Sequence, residues 1–175
     1  CEYRRDFLSL NPALLGVTNI ELDHMDYYKD LFDYRSAFEE LSEQTEETIW
    51  PDDYSEYSGE LSVPGEHNLM NAGLAAHMAR RLGVPEAAIA TALASFAGTW
   101  RRFEYKGEMN GAPVIDDYAH HPTEIRATLS AAAEEFPNRN IIAVFQPHQY
   151  SRTIALLDEF ASSFEGASEI IIPGI

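Results

Sequence analysis

Val-Ile-Asp-Asp-Tyr-Ala-His-His-Pro-Thr-Glu, residues 114–124, begins with two apolar residues and continues as a polar cluster. The apolar pair predicts a strand that ends at Asp116, and Pro122 suits the first turn of a helix, where its missing N–H costs nothing. Residues 141–145 form a second apolar strand, and Gln-Pro-His-Gln-Tyr-Ser-Arg at 146–152 follows it. Alternating strands and helices of this kind predict an α/β fold with a parallel sheet wound right-handed.

Hydrophobic spacing extends this pattern along the rest of the chain. We predict strands at 13–20, 61–65 and 169–172, helices at 30–43, 68–82, 85–96, 122–136 and 153–164, and an acidic loop at 44–60. Ligands of parallel α/β sheets bind at the carboxyl ends of the strands. The two polar clusters follow strand ends, so they are the first candidates for a site.

The composition limits the partners and the compartment. The chain has 175 residues, with 29 acidic and 12 basic side chains and a formal net charge of −17. This charge repels phosphate backbones and anionic membranes, so we expect neither nucleic acid nor a membrane as a partner. The single cysteine, Cys1, allows no internal disulfide, and no apolar run approaches the roughly 18 residues of a membrane span. We therefore expect a cytoplasmic protein.

Both ends of the chain carry unusual sequence. It opens at Cys1 without an initiator methionine, and residues 169–175 form an apolar strand with nothing after it. Because a strand this apolar normally has neighbours on both sides, we interpret both ends as internal cuts.

Two clusters in the first half could bind a metal and a nucleotide. His24 stands among three acidic residues, and imidazole with carboxylates suits a divalent metal, although an acidic solvated loop explains the same pattern. Asn68 and Asn71 lie three apart at a helix start, so both amides could reach an adenine edge. Ordinary N-capping by asparagine is the alternative, and the pattern alone favours it.

The second half offers charged residues suited to phosphate and ribose. Arg101 and Arg102 could grip a phosphate or form surface ion pairs. Asp116 and Asp117 at a strand end could accept hydrogen bonds from ribose or hold Mg²⁺, or belong to a polar loop that caps the next helix. Arg152 could meet a carboxylate or phosphate at a helix start, or be exposed to solvent.

The histidines leave more than one chemistry open. His120 and His121 point in different directions in any regular backbone, so we expect one to bind and the other to pack. A metal-dependent hydrolase built on His24, His120, His121 and His148 would bind zinc tightly. A non-catalytic interaction module is a third possibility, in which Arg102 and Asp117 would not affect turnover. The chain contains no Gly-x-x-x-x-Gly-Lys-[Ser/Thr] phosphate loop.

Five stretches, in this order, resemble the Mur ligases of peptidoglycan synthesis. They are Thr-Asn-Ile-Glu-Leu-Asp-His-Met-Asp (18–26), Pro-Gly-Glu-His-Asn-Leu-Met-Asn-Ala (64–72), Phe-Ala-Gly-Thr-Trp-Arg-Arg-Phe-Glu (96–104), Asp-Asp-Tyr-Ala-His-His-Pro-Thr-Glu (116–124) and Phe-Gln-Pro-His-Gln-Tyr-Ser-Arg-Thr (145–153). The last two indicate the branch that adds L-alanine. Murein peptide ligase, which reattaches a recycled tripeptide, is the nearest competitor; it shares the Ala-His-His-Pro run.

The resemblance implies a domain organisation. Residues 1–97 would be the later part of a P-loop-type central domain that binds ATP, and 98–175 the first part of a Rossmann-like C-terminal domain that binds the amino acid. The phosphate loop would lie upstream of Cys1, so we expect this chain alone to have no ligase activity. The stretch between His24 and Gly65 is shorter than is usual in the family.

The resemblance also implies an ATP-dependent ligase that joins L-alanine to UDP-N-acetylmuramate through an acyl phosphate, with Mg²⁺. His24 would bind the metal. Four residues would approach the nucleotide: Asn68, Asn71, Arg102 and Asp117. Four others would line the L-alanine and acyl-phosphate side: Tyr118, His120, His148 and Arg152. Some members have Arg where Gln149 stands, and the second metal-binding Glu of the family would fall just before Cys1.

Overall fold

The computed structural model describes residues 2–174. These divide into two compact units. The first unit holds the residues up to Ser58 together with Leu69–Ile89, and the second holds Gly59–Asn68 and the residues from Ala90 onward. Within residues 2–174, no helix is both long and apolar enough to cross a membrane.

The first unit is built on a short parallel strand pair and one amphipathic helix. Strand β1 (Leu14–Gly16) pairs with β2 (Glu47–Ile49), and helix α1 (Leu31–Glu43) lies between them in sequence. The Asp30 carboxylate caps α1 by accepting a hydrogen bond from the Asp33 N–H at 2.8 Å. The predicted helix at 30–43 is therefore found almost residue for residue.

Aromatic rings fill the core of the first unit. Tyr28 and Tyr34 meet edge to face at 4.7 Å between ring centroids, and Phe7 contacts Phe38 in the same way at 5.2 Å. Arg5 joins the N-terminal segment to α1, because its guanidinium contacts Asp33 at 2.9 Å and Glu40 at 2.8 Å.

Two alanine-rich helices carry residues of both units. Helix α2 spans Glu66–Arg81 and α3 spans Glu86–Ser95. Gly73 of α2 lies against the loop at 50–58: a Cβ added there would stand 1.9 Å from the Ser55 carbonyl oxygen. Only glycine permits that approach of loop to helix.

The second unit contains a hairpin, a parallel strand pair and three helices. Strand β3 (Glu104–Met109) pairs antiparallel with β4 (Ala112–Asp116), and β5 (Ile142–Val144) pairs parallel with β6 (Glu169–Ile171). The helices are α4 (Pro122–Glu135), α5 (Tyr150–Ala155) and α6 (Leu157–Ser162). Their core contains Ile125, Leu129, Phe160 and Phe164.

Several predictions about elements need correction. The strand expected at 114–116 exists, but it pairs with β3 in an antiparallel hairpin rather than with β5 in a parallel sheet. The stretch 61–65 is not a strand, because Ser62 instead donates to the Ala94 carbonyl at 2.5 Å. The loop expected at 44–60 includes β2, and the helix expected at 153–164 begins at Tyr150 and is interrupted at Leu156.

Candidate active site

The candidate site of the second unit lies where two loops are joined by hydrogen bonds. The first loop precedes β3 and the second follows β4. Asp117 Oδ2 accepts from the Phe103 N–H at 2.8 Å, and Asp117 Oδ1 accepts from the Ala119 N–H at 2.7 Å. The Tyr118 N–H donates to the Arg101 carbonyl at 2.9 Å. One carboxylate therefore fixes both loops relative to each other.

The first loop holds two residues in a conformation that side chains disfavour. Arg101 has φ 54° and Phe103 has φ 49°, both in the left-handed region. Glu104 supports the turn by accepting the Arg101 N–H at 2.9 Å, and this bond, with a further one from Lys106, lowers the pKa of Glu104. Left-handed backbone persists only where the surroundings hold it, and such strain is common at functional sites.

The Tyr118 ring brings the two arginines together. The Arg101 guanidinium carbon lies 4.9 Å from the ring centroid and that of Arg102 lies 5.9 Å away. Each guanidinium has a loosely placed acid, Asp116 at 3.4 Å from Arg101 and Glu124 at 3.6 Å from Arg102. The ion-pair alternative raised by the sequence is thus realised, but at distances longer than a strong hydrogen bond.

Glu124 links Arg102 to the histidine pair. Its Oε2 accepts the His120 N–H at 2.8 Å and the His121 N–H at 3.2 Å, and it also lies 3.3 Å from His120 Nδ1. His120 Nδ1 is 2.7 Å from the Tyr118 carbonyl oxygen. The sequence pattern did not indicate this role of Glu124.

His121 has a structural role. It is the N-cap residue of α4, its Nδ1 accepts the Thr123 N–H at 3.4 Å, and Glu124 completes the capping box. His121 is therefore the member of the pair with a structural role, and binding by His120 stays a prediction.

His67 is a second residue that the sequence did not single out. Its ring packs over Gly65, where an added Cβ would stand 2.7 Å from His67 Cε1, and Gly65 has φ 96°. Burial lowers the pKa of His67, a nearby Arg102 acts in the same direction, and Asp117 opposes them. The start of α2 is therefore coupled electrostatically to the two joined loops. The sequence signal that could have indicated His67 is a histidine that closely follows a glycine at a helix start.

The lowered pKa of His67 predicts a pH effect on stability. The unfolded chain takes up a proton on this side chain near pH 6.5, before the folded chain does. The contribution of neutral His67 to the free energy of unfolding is thus complete above that pH. It is lost as the pH falls toward the pKa of His67 in the folded chain. We expect His67→Gln to lose less stability than the parent protein between about pH 7.5 and about pH 5.5. Urea unfolding at both values, with exposed His148→Gln as the control, measures this; equal losses would contradict it.

The first unit places His24 beside a carboxylate. His24 Nε2 lies 2.8 Å from Glu2 Oε1, and the His24 N–H donates to Asp23 Oδ1 at 2.6 Å. Its φ of 52° is left-handed. Nowhere in residues 2–174 do three or more His, Cys, Asp or Glu side chains come together as a metal-binding group.

The remaining candidates are in varied surroundings. The Asn68 side chain donates to the Pro64 carbonyl at 2.6 Å, which is a local contact at the helix start, and Asn71 is exposed. His148 is exposed after β5. Arg152 is buried, with 5% of its surface exposed, so the solvent-exposed alternative for this residue is wrong.

A sequence profile described as Mur ligase, glutamate ligase domain, matches residues 101–174 and so includes both joined loops. The chain belongs to the Mur ligase family, as its motifs predicted.

Within that family the chain is similar to UDP-N-acetylmuramate–L-alanine ligases. It is 39% identical to that of Desulfitobacterium hafniense and 37% identical to that of Clostridium kluyveri, with all of this chain and 49% of each relative aligned. The crystal structure of UDP-N-acetylmuramate–alanine ligase from Thermotoga maritima matches with a TM-score of 0.78 at 30% identity, covering 98% of this chain and 48% of that one. The α/β class with parallel strands is thereby confirmed.

A murein peptide ligase from Psychrobacter arcticus shares the fold, with a TM-score of 0.60 at 24% identity over 95% of this chain and 44% of that one. The chain spans about half the length of the curated relatives it matches. The alignment with the D. hafniense ligase covers 222 positions against 175 residues here, so 47 of its positions have no counterpart in this chain.

Proposed function

We propose that this chain is part of an ATP-dependent ligase that joins L-alanine to UDP-N-acetylmuramate in peptidoglycan precursor synthesis. The carboxylate of the sugar would attack the γ-phosphate of ATP, and the L-alanine amine would then attack the acyl phosphate. The reaction would take place in the cytoplasm, where ATP is available. The two domains proposed are 1–97 and 98–175.

The observation that carries the proposal is the joining of the two loops by Asp117. As a result Arg102, Tyr118 and His120, all in the second unit, lie on two loops that are linked by hydrogen bonds. An acyl-phosphate ligase needs a cation that stabilises charge on phosphate and a group that can accept a proton. A guanidinium and an imidazole can supply these two functions.

We assign Asn68, Asn71, Arg102 and Asp117 to the nucleotide, and Tyr118, His120, His148 and Arg152 to the amino acid and the acyl phosphate. The buried position of Arg152 supports a specific role, because a guanidinium loses hydration there and must be held by placed acceptors. The exposed amide of Asn71 is accessible to a base.

The first unit could hold Mg²⁺ only if the ion also bound phosphate oxygens of the nucleotide. Glu2 and His24 offer one carboxylate and one imidazole, and in nucleotide sites Mg²⁺ takes one or two protein ligands and completes its shell with phosphate oxygens and water. We propose that His24, with Glu2 beside it, would hold Mg²⁺. When bound, the ion would neutralise charge on the phosphate oxygens.

Two other functions make different predictions. A murein peptide ligase would bind the recycled tripeptide in place of free L-alanine. A hydrolase would need a zinc site, and the helix-capping role of His121 and the absence of a three-residue metal group within residues 2–174 favour the ligase.

Ligand titration of the chain, followed by nuclear magnetic resonance, tests the proposal. We expect ADP with Mg²⁺ to shift the Arg102 and Asp117 resonances, and L-alanine to shift those of Tyr118 and His120. Arg102→Ala should weaken ADP binding about tenfold or more, since a charge-assisted contact with phosphate is lost. Arg35→Ala, which removes an exposed arginine of α1, is the control.

Three outcomes would contradict it. Shifts with the tripeptide but not with L-alanine would favour the recycling enzyme. Stoichiometric zinc binding would favour the hydrolase. An Arg102→Ala chain that binds ADP as the parent does would remove Arg102 from the nucleotide site. The chain alone should form no ADP from ATP, because it contains no phosphate loop.

A further inference from the structure

His120 has two hydrogen-bond acceptors at the same ring nitrogen. Nδ1 lies 2.7 Å from the Tyr118 carbonyl oxygen and 3.3 Å from Glu124 Oε2. Neither a carbonyl nor a carboxylate oxygen can donate a proton, so Nδ1 must carry one. In the neutral ring the lone pair then resides on Nε2.

We propose that Glu124 is a positioning residue that holds His120 in the Nδ1–H form and makes Nε2 the basic nitrogen of the site. The inference rests on the proposed function, in which His120 faces the incoming amine. It gives Glu124, together with His120, a role as a carboxylate–histidine pair that the sequence motifs do not imply.

The helix cap alone does not account for this geometry. A capping box requires only that the third helical residue accept the backbone N–H of the N-cap residue, and the 3.2 Å bond from the His121 N–H to Glu124 Oε2 fulfils that. The additional approach of the same oxygen to Nδ1 selects a tautomer. The pair is partly shielded, with side-chain exposures of 23% for His120 and 35% for Glu124, so the charge of the carboxylate is less screened than at an open surface.

The arrangement suits the second step of the proposed reaction. As the amine lone pair forms the C–N bond, the C–O bond to phosphate breaks and its electron pair leaves with the phosphate. The amine nitrogen must lose a proton, and Nε2 of His120 can accept it. Glu124 then stabilises the imidazolium through Nδ1–H. The other carboxylate oxygen faces Arg102 at 3.6 Å, so one side chain would connect the phosphate side to the amine side.

The test is the tautomer of His120, read from imidazole ¹⁵N chemical shifts in the whole 175-residue chain. In the parent protein we expect the Nδ1–H form to dominate. Glu124→Gln keeps an oxygen for the capping box but removes the charge, because Gln also serves at that position. The ratio of Nδ1–H to Nε2–H forms should therefore fall by about fivefold or more in this variant.

Two further variants separate charge from folding. Glu134→Gln, exposed near the end of α4, makes the same change of charge and should leave the ratio unaltered. Glu124→Ala removes the cap as well, so it should lower both the helix stability and the ratio. The measurement on the parent protein needs no variant to fold.

Either of two results would overturn the inference: a dominant Nε2–H form in the parent protein, or an unchanged ratio in a folded Glu124→Gln chain. Because no ligand is present, this test is independent of the proposed function. If the tautomer behaves as expected but L-alanine does not perturb His120, the ligase proposal fails and the carboxylate–histidine pair remains.

Discussion

Asp117→Ala should release the two loops of the second unit from each other and abolish measurable nucleotide binding. Both oxygens of the Asp117 carboxylate accept backbone N–H groups, at 2.7 and 2.8 Å. Hydrogen bonds to a charged acceptor contribute about 1.5–3 kcal/mol each, and both would be lost. The left-handed backbone at Arg101 and Phe103 costs of the order of 1 kcal/mol per residue and would no longer be held.

Asparagine at this position should give an intermediate result. Its side chain offers one oxygen and an NH₂ group that cannot accept, so only one of the two amides keeps its partner. We therefore expect protection of the Phe103 and Ala119 amides against hydrogen exchange to decrease from the parent to Asp117→Asn and further to Asp117→Ala. Asp116→Asn is the control, because it changes the same charge at a looser, half-exposed contact with Arg101.

The exchange data also distinguish two ways in which Asp117 could act. If ADP binding is lost while both amides stay protected, Asp117 contacts the nucleotide directly and the loops do not depend on it. If both amides exchange freely and ADP still binds as before, the joined loops are not the nucleotide site. Loss of both properties together is the result we expect.

Local signals in the sequence predicted the helices well. Asp30 ahead of α1 and His121-Pro122 ahead of α4 are start signals that need no tertiary context, and both helices begin where these residues place them. The signal for β5 was equally clear, because its continuous apolar run does not also show the spacing of a helix.

The errors occurred where tertiary context decides. Strand β3 has the sequence Glu-Tyr-Lys-Gly-Glu-Met, which is too polar to be recognised as an apolar run. The Asn110-Gly111 pair that follows it is nevertheless a typical hairpin turn. Without β3, the strand before Asp117 was assigned to the parallel sheet. The burial of Arg152 could not be predicted from the sequence either, because a charged residue at a helix start is normally expected to be exposed.

The candidate site shows the same division. Motifs selected Arg102, Asp117 and His120, to which we assign contacts with the nucleotide and with the amino acid. Glu124 and His67 emerged only from distances and burial, because a residue that acts by holding another leaves a pattern that a helix cap or a turn explains equally well.

Phe160→Ala should destabilise the second unit by about 3–5 kcal/mol, as is typical when a buried aromatic ring is removed from a core. Phe160 is 6% exposed, and its ring lies 5.6 Å from that of Phe145 on the β5 side. The outward residues of β5 leave one face uncovered, with Ile142 57% and Val144 67% exposed. The unit therefore has few other apolar contacts with which to compensate.

The loss should extend to the candidate site. Ile125 and Leu129 of α4 belong to the same core as Phe160, and the Arg126 guanidinium donates to Ser162 Oγ of α6 at 3.1 Å. Since α4 begins at the His120–Glu124 contact, loosening its packing should raise hydrogen exchange at the His120 amide before global unfolding. Hydrogen exchange at the α4 and α6 amides in increasing urea would measure the stability of this unit. Leu157→Ala, at a position 60% exposed on α6, should change stability by no more than about 0.5 kcal/mol. An equal effect of the two substitutions would mean that the Phe160 core does not hold α4, and the site would then depend on the joined loops alone.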